Sequence, residues 1–210
     1  PERIDATIGA AGPDASQVGA WTGIAGLPPR PFDIAGRVRR DGPRLSFKDL
    51  KVRVGGTSVT VGGRLGDLPR CIGTDLTVAA TGKDLSELSA LTRLSLPSGA
   101  FDVKGRFLRR ADGLAIEGTT VAVRGAAIHA AGTIGEPPGL ANLDLTADGT
   151  GPDASCLSGI ARVELPAEPF AVRGRVSRNG AALDLDDVSG RLGVDTFAVT
   201  GRLVPVRGLA

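Results

Sequence analysis

Residues 31–40 read PFDIAGRVRR, and two closely similar stretches follow later in the chain as AFDVKGRFLR and PFAVRGRVSR. The phenylalanines of these stretches, Phe32, Phe101 and Phe170, are 69 residues apart in both intervals, and the Gly-Arg pair behind each keeps the same spacing. A fixed period of this kind decides the architecture, because each copy is one structural unit that stacks on its neighbours. We call these three stretches the anchors.

The period extends over the whole chain. A Gly-x-Asp triplet, first seen at 12–14, precedes each anchor, and a Leu-Pro pair lies between the two. We therefore predict one continuous domain over residues 1–210, built of repeats at 1–68, 69–138 and 139–210, in which neighbouring repeats share a core. Because the chain begins with proline and contains no methionine, we expect it to be a segment of a longer protein.

Alternating side chains predict a mostly β protein. Val59 and Val61 alternate with Ser58 and Thr60, and the same pattern recurs between glycine-containing turns throughout the chain. We predict about four antiparallel strands and one short helix in each repeat. The three repeats are then expected to form one continuous curved sheet or trough.

A short helix is predicted after each Gly-x-Asp triplet. Asp14, Asp84 and Asp153 are residue types that cap helix N-termini, and this role is favoured over a catalytic one because an apolar stripe follows each of them. The stripes consist of Val18, Trp21 and Ile24, of Leu85, Leu88, Leu91 and Leu94, and of Leu157, Ile160 and Val163.

About a dozen strands present one apolar face that three short helices cannot cover. Gly36 and Gly63, with their equivalents in the other repeats, lie on this face, where a glycine marks a bend or a close approach between strands. Two alternatives stay open: a trough with an apolar interior, or a sheet that packs upon itself. The predicted lining of the trough consists of Phe32, Ile34, Val38, Leu45, Phe47, Val59, Val61, Phe101, Val103, Phe107, Leu114, Ile116, Ile128, Phe170, Val172, Val176, Leu183, Leu185, Phe197 and Val199.

Several classes of function are disfavoured by composition. The net charge of +2 comes without a basic cluster that interleaves aromatics, so we expect no nucleic-acid partner. No apolar run is long enough for a transmembrane helix in this segment. His129 is the only histidine and is expected to point outward, while Cys71 and Cys156 are read as isolated thiols. We therefore expect no metal, no cofactor and no enzymatic activity.

The clearest copy of the repeat, GPDASCLSGIARVELPAEPFAVRGRVSRNGAALDLDDVSGRLG from Gly151, resembles the AsmA-like family of repeating β-groove envelope proteins. The resemblance covers all three repeats and suggests a C-terminal AsmA-like segment. The second repeat departs from the pattern, because Lys83 replaces the proline of the triplet and Gly118 stands near the position of Asp49 and Asp187.

The resemblance implies a non-enzymatic protein of the bacterial envelope. Its relatives are held in the inner membrane by an N-terminal helix, which would lie outside this segment, and extend through the periplasm. Phospholipid acyl chains would be carried along the groove towards the outer membrane, in support of outer-membrane assembly, with envelope proteins as further partners. The alternative is a periplasmic scaffold or assembly factor with a self-packed core that binds envelope proteins.

Overall fold

The computed structural model describes residues 3–22, 26–42, 44–67, 71–92, 95–135, 143–161, 163–180 and 182–204. Within these ranges, twelve strands form one open antiparallel sheet in which every strand pairs with the next one along the chain. The strands are β1 (Arg3–Gly12), β2 (Phe32–Asp41), β3 (Arg44–Val54), β4 (Thr57–Leu65), β5 (Asp75–Gly82), β6 (Phe101–Arg110), β7 (Gly113–Val123), β8 (Ala126–Gly135), β9 (Asp144–Gly151), β10 (Phe170–Asn179), β11 (Ala182–Leu192) and β12 (Asp195–Leu203). The prediction of a mostly β protein is confirmed.

Tight turns explain the pairing of β2 with β3, β3 with β4, β10 with β11 and β11 with β12. Gly42, Gly55, Gly180 and Gly193 have φ values of 60°, 56°, 64° and 60°, a left-handed conformation that glycine adopts without strain. Such residues suit two-residue hairpin turns, which return the chain directly alongside the preceding strand. The long antiparallel meander therefore follows from turn chemistry that is local in the sequence.

The pairing registers separate the side chains into two faces. Between β5 and β6, Ala80 lies opposite Val103 and Val78 opposite Gly105, while between β4 and β5 Val61 lies opposite Val78. Residues that oppose each other across antiparallel strands share a face of the sheet. Followed from strand to strand, the registers define an apolar face, to which these residues belong, and a polar face on the other side.

Three longer links connect β1 to β2, β5 to β6 and β9 to β10, all at the same end of the sheet. The first contains α1 (Ala15–Thr22). The second starts as a 3-10 turn at Leu85–Leu88 and ends in α2 (Ser89–Thr92), and the third repeats this with Ala154–Leu157 and α3 (Ser158–Ala161). The prediction of one short helix in each repeat is therefore wrong in detail, since among the described residues only the first link has an α-helix of two turns.

The capping aspartates account for the tight start of the later links. The carboxylate of Asp84 accepts the backbone N–H of Ser86 at 3.0 Å and that of Gly99 at 3.1 Å, and Leu85 N–H donates to the Gly99 carbonyl at 2.9 Å. These bonds tie the first turn to the returning chain, and Glu87 N–H reaches the Asp84 carbonyl at 3.3 Å in an i to i+3 bond.

The predicted N-caps Asp84 and Asp153 are confirmed, and in the first link Asp14 likewise accepts the backbone N–H of Ser16 at 2.9 Å. Of the predicted helical stripes, Ile24 and Leu94 lie outside the described residues. Val163 lies beyond α3, where it is 58% exposed.

Two hydrophobic clusters lie at the sheet end that carries the links. Each joins the first residue of an anchor strand to a link and to the neighbouring strands. Phe101 and Phe170 are the largest buried members and are 5% and 7% exposed. The first cluster contains Ala80, Leu85, Phe101 and Val123, and the second contains Ala126, Ala154, Cys156 and Phe170.

We expect Thr119→Val to stabilise the protein. The Thr119 hydroxyl is buried on the apolar face without a hydrogen-bond partner, and the related positions in β3 and β11 hold Leu50 and Val188. Replacing an unsatisfied buried hydroxyl by a methyl of the same shape should raise the free energy of unfolding by about 1 kcal/mol. Urea denaturation measures the change.

Thr120→Val is the matched control, since Thr120 lies on the polar face and its hydroxyl lies 3.1 Å from His129 Nδ1. A loss of stability in Thr119→Val would show that the hydroxyl has a partner that the structure does not contain.

Candidate functional site

The apolar face is the candidate functional site. The registers place all the predicted lining residues on it: Val38 lies opposite Phe47, Phe107 opposite Ile116, and the other strands continue the same alternation. The sheet thus brings together, on one surface, side chains that are distant in the sequence. That these side chains bind a ligand stays a prediction.

Burial on the apolar face decreases from the linked end and from the centre outward. Phe101 and Phe170 are buried beneath the links, whereas Val61 and Ile128, in the middle of their strands, are half-buried. On the last strand the lining becomes exposed, with Phe197 at 41%. Much of the apolar face therefore remains accessible to a ligand.

The accessible surface of the chain is 13261 Å². A compact monomer of 21.3 kDa would expose only about 9,100 Å². The excess is what an open sheet gives when one of its faces lacks a second packed layer. A sheet folded tightly upon itself would bring the area close to the compact value.

The anchor glycines lie where a bulged strand approaches closely. A Cβ on Gly36 would come within 2.6 Å of Leu50 Cα, and one on Gly174 within 2.8 Å of Val188 Cα. Next to these contacts the pairing shifts, and Asp49 and Asp187 adopt φ values of 52° and 49°. The shifted pairing and the left-handed backbone together form a β-bulge in each of these strands.

The second repeat reaches the same geometry with a different residue. Gly105 faces Thr119 across the strands, and Gly118, with φ of 55°, takes the left-handed position at the bulge. The departure of Gly118 from the repeat pattern is therefore conservative in conformation, because glycine and aspartate both tolerate this region of backbone space.

Sequence reasoning missed the role of the first glycine in each Gly-x-Asp triplet. A Cβ on Gly12 would lie 2.7 Å from the Phe32 ring, and Gly151 stands in the same relation to Phe170 at 2.5 Å. The absent side chain thus makes room for the anchor ring on the neighbouring strand. The available signal was the regular pairing of this glycine, at the end of one strand, with a phenylalanine at the start of the next.

The arginines that follow the anchor glycines lie on the polar face in bidentate ion pairs. Arg106 donates from Nε and Nη2 to both carboxylate oxygens of Asp75, at 2.8 and 2.9 Å. Arg37 and Arg175 bind their aspartates in the same way; the equivalent pairs are Arg37–Asp5 and Arg175–Asp144. These guanidinium groups therefore stabilise the outside of the sheet and do not line the apolar face.

We expect the Arg106–Asp75 pair to make stability depend on pH. The hydrogen bonds from Arg106 lower the pKa of Asp75 below its ordinary value. The stabilisation is thus complete above the unfolded-state pKa of about 3.9 and is lost as the pH falls through the lower folded-state value. Asp75→Asn should destabilise slightly at neutral pH, as is usual for exposed pairs.

Thermal unfolding of the wild type and Asp75→Asn as a function of pH measures this difference, which should shrink in acid and in high salt. A difference that stays constant from neutral pH into strong acid would contradict the assignment.

The other side chains that could take part in catalysis or metal binding do not form a cluster. His129 is exposed on the polar face, as predicted, whereas Cys156 is buried and Cys71 is half-buried. Among the described residues, no group of three or more histidine, cysteine, aspartate or glutamate side chains could hold a metal ion. In the same part of the chain, no helix has both the length and the apolar character needed to cross a membrane.

We compared the chain with known protein families, curated proteins and solved structures. No family model, no curated protein and no solved structure matches the chain.

Proposed function

We propose that this chain is a non-enzymatic segment of a bacterial envelope protein whose apolar face forms a hydrophobic groove for phospholipid. The groove would carry lipid between the inner and the outer membrane and so support outer-membrane assembly. The observation that carries the proposal is the open apolar face, supported by an accessible surface of 13261 Å². Large exposed apolar surfaces mark interaction sites, and grooves for apolar ligands are one kind of such site.

The dimensions of the sheet suit acyl chains. Twelve strands at about 4.8 Å each extend over about 58 Å, so an acyl chain that runs across the strands would stay in contact with apolar side chains along its length. Burial contributes about 0.8 kcal/mol per CH₂. A shift by one carbon exchanges one apolar contact for a similar one, so movement along the groove requires no chemical step.

The groove is proposed to be a curved trough made of the three repeats 1–68, 69–138 and 139–210. The close approaches at Gly36 and Gly174 and the bulges beside them support this, because bulges increase local twist and bend the strand. Equivalent bulges in β3, β7 and β11 would then bend the sheet along one line.

A row of arginines suits the lipid headgroups. At the sheet end opposite the links, the apolar face terminates in Arg40, Arg109 and Arg178. Arg40 lies opposite Leu45 on the paired strand, and Arg178 lies opposite Leu183. Guanidinium groups bind phosphate oxygens in bidentate geometry. A phospholipid with its acyl chains on the apolar face would thus place its phosphate near these side chains.

The periplasm is the proposed location, with attachment to the inner membrane by a helix outside this segment. The resemblance of the anchors and triplets to AsmA-like repeats supports this location. Envelope proteins are the proposed protein partners, and the polar face, with its paired charges, is the surface on which they would bind.

A periplasmic scaffold with a self-packed core is the competing function. The burial of Phe101 and Phe170 in two clusters favours it, because both rings are covered by the protein's own side chains. This packing is confined to the linked end of the sheet, whereas Val61 and Ile128 remain half-buried. The groove therefore accounts for more of the apolar face than the scaffold does.

Uptake of a fluorescent phospholipid from quenched donor vesicles tests the proposed function. The groove predicts a fluorescence increase that grows with protein concentration and saturates. The uptake should depend more on acyl-chain length than on the headgroup, since most contacts are apolar. No increase at any protein concentration would contradict the groove and favour the scaffold.

A further inference from the structure

The last strand, β12, has the same glycine position as β4 and β8, two interior strands that each pair with the strand that follows. β4, β8 and β12 all carry a glycine at their seventh position, namely Gly63, Gly132 and Gly201. β4 pairs with β5 and β8 pairs with β9, in the same register at both junctions. Among the described strands, β12 has a neighbour on one side only.

The three glycines differ in what surrounds them. Gly63 and Gly132 have φ values of 118° and 140°, and a Cβ on either would collide with the carbonyl oxygen of the facing strand, that of Asp75 or Asp144. Gly201 has nothing within 4 Å of the equivalent position. Gly201 would thus allow a neighbouring strand to approach closely, but no described strand lies there.

The first strand, β1, has the same residue pattern as β5 and β9, which are the partners of β4 and β8. β5 and β9 read Asp-x-Thr followed five residues later by glycine, from Asp75 and from Asp144. β1 contains the same pattern from Asp5 to Gly12. The two edges of the sheet are therefore complementary in sequence to each other.

Among the described residues, both edge strands are long and carry exposed apolar side chains. The two strands are nine and ten residues long without proline. Phe197 and Val199 on β12 are 41% and 46% exposed, and Ile4 and Ile8 on β1 are 48% and 39% exposed. Long, apolar and unprotected edges are templates for strand addition.

We propose that β12 of one copy of this chain pairs antiparallel with β1 of a second copy, in the register of the β4–β5 and β8–β9 junctions. Thr200 would then lie opposite Thr7 of the second copy, and Gly201 opposite its Ala6. Because the two surfaces differ, the association is head to tail, and each added copy leaves an edge for the next one. The proposal does not depend on lipid binding.

Charge complementarity supports this choice of partner. In the interior, Asp75 binds Arg106 on the following strand at 2.8 Å and also lies 3.8 Å from Arg64 on the preceding one. At the proposed junction, Asp5 already binds Arg37 on its own following strand. Arg202 of the other copy binds Asp184 on its own preceding strand at 2.6 Å. It would lie beside Asp5 where Arg64 lies beside Asp75.

The association state of the 210-residue chain, measured by light scattering across a range of concentrations, tests the proposal. The wild type should grow beyond a dimer as concentration rises. Gly201→Val should remain monomeric, because the new side chain would meet the backbone of the incoming strand. Its melting temperature should equal that of the monomeric wild type, since the space around Gly201 is open.

Thr200→Val is the matched control. Thr200 is the residue next to Gly201 but lies on the polar face, and valine has the same shape as threonine, so this variant should associate like the wild type. A wild type that is monomeric at every concentration overturns the proposal, and so does association that survives Gly201→Val.

Chemical crosslinking tests the register. In a Cys71→Ser background, chains with Thr7→Cys are mixed with chains with Thr200→Cys and treated with a short thiol crosslinker, while Cys156 stays buried. The mixed dimer should form readily. Chains with Thr196→Cys should crosslink poorly to Thr7→Cys, because the two sites would be about 13 Å out of register. Equal crosslinking in both mixtures, or Thr200→Cys chains that crosslink mainly to each other, contradicts a head-to-tail junction.

Discussion

Gly132→Val is expected to unfold the protein or to lower its stability severely, whereas Gly201→Val leaves the isolated chain as stable as before. The two positions are both the seventh residue of their strands, but Gly132 has φ of 140° and faces the Asp144 carbonyl across the strands. A β-branched side chain there is strained in its backbone and overlaps a neighbouring backbone that cannot rotate away. β9 would have to separate from β8.

The expected loss for Gly132→Val is about 3–5 kcal/mol, the combined scale of backbone strain and overpacking. Circular dichroism during urea denaturation, at a dilution where both variants are monomeric, compares them directly. Equal stability of the two variants would mean that β8 and β9 do not approach as closely as the structure places them.

Val61→Asp and Ile128→Asp are expected to abolish phospholipid uptake while the β-sheet persists. Both residues are half-buried in the middle of the apolar face. A carboxylate at either position would meet the acyl chain, and a charge without a partner in apolar surroundings is strongly unfavourable. We expect lipid affinity to fall at least about tenfold, which corresponds to about 1.4 kcal/mol.

Each variant has a matched control on the opposite face. Thr60→Asp lies next to Val61 and His129→Asp next to Ile128, and both alternate to the polar face. They add the same charge without touching the groove, so lipid uptake should be unchanged. Lipid uptake that is equal in all four variants, each with an intact far-ultraviolet spectrum, would contradict an acyl-chain path along this face.

Alternation and turn residues predicted the strands and the two faces, because both are decided by side chains within a few residues. The form of the later links was not predictable in the same way. The 3-10 turn at Leu85–Leu88 depends on Asp84 and on the hydrogen bond between Leu85 and Gly99, which joins residues far apart along the link. Helical spacing of leucines carries no information about that bond.

The residues of the candidate site could be predicted from the two-residue alternation of strands. Val61 and Ile128 lie on the same face as the residues opposite them on the paired strands, Val78 and Val121. The openness of the site could not be predicted, because a strand pattern is the same whether a second layer covers the face or not. The roles of Gly12 and Gly151 were also hidden. Each depends on a phenylalanine ring that reaches it only once the two strands have paired.

The lipid content of the protein as purified tests the central claim most directly. The chain is produced in bacteria, purified without added lipid and extracted with organic solvent, and the extract is measured by mass spectrometry against a known amount of protein. The open groove predicts phospholipid in stoichiometric amounts, and Val61→Asp should reduce it. An extract free of phospholipid, from protein that also takes up no fluorescent lipid, would show that the apolar face is not a lipid site and would contradict the account.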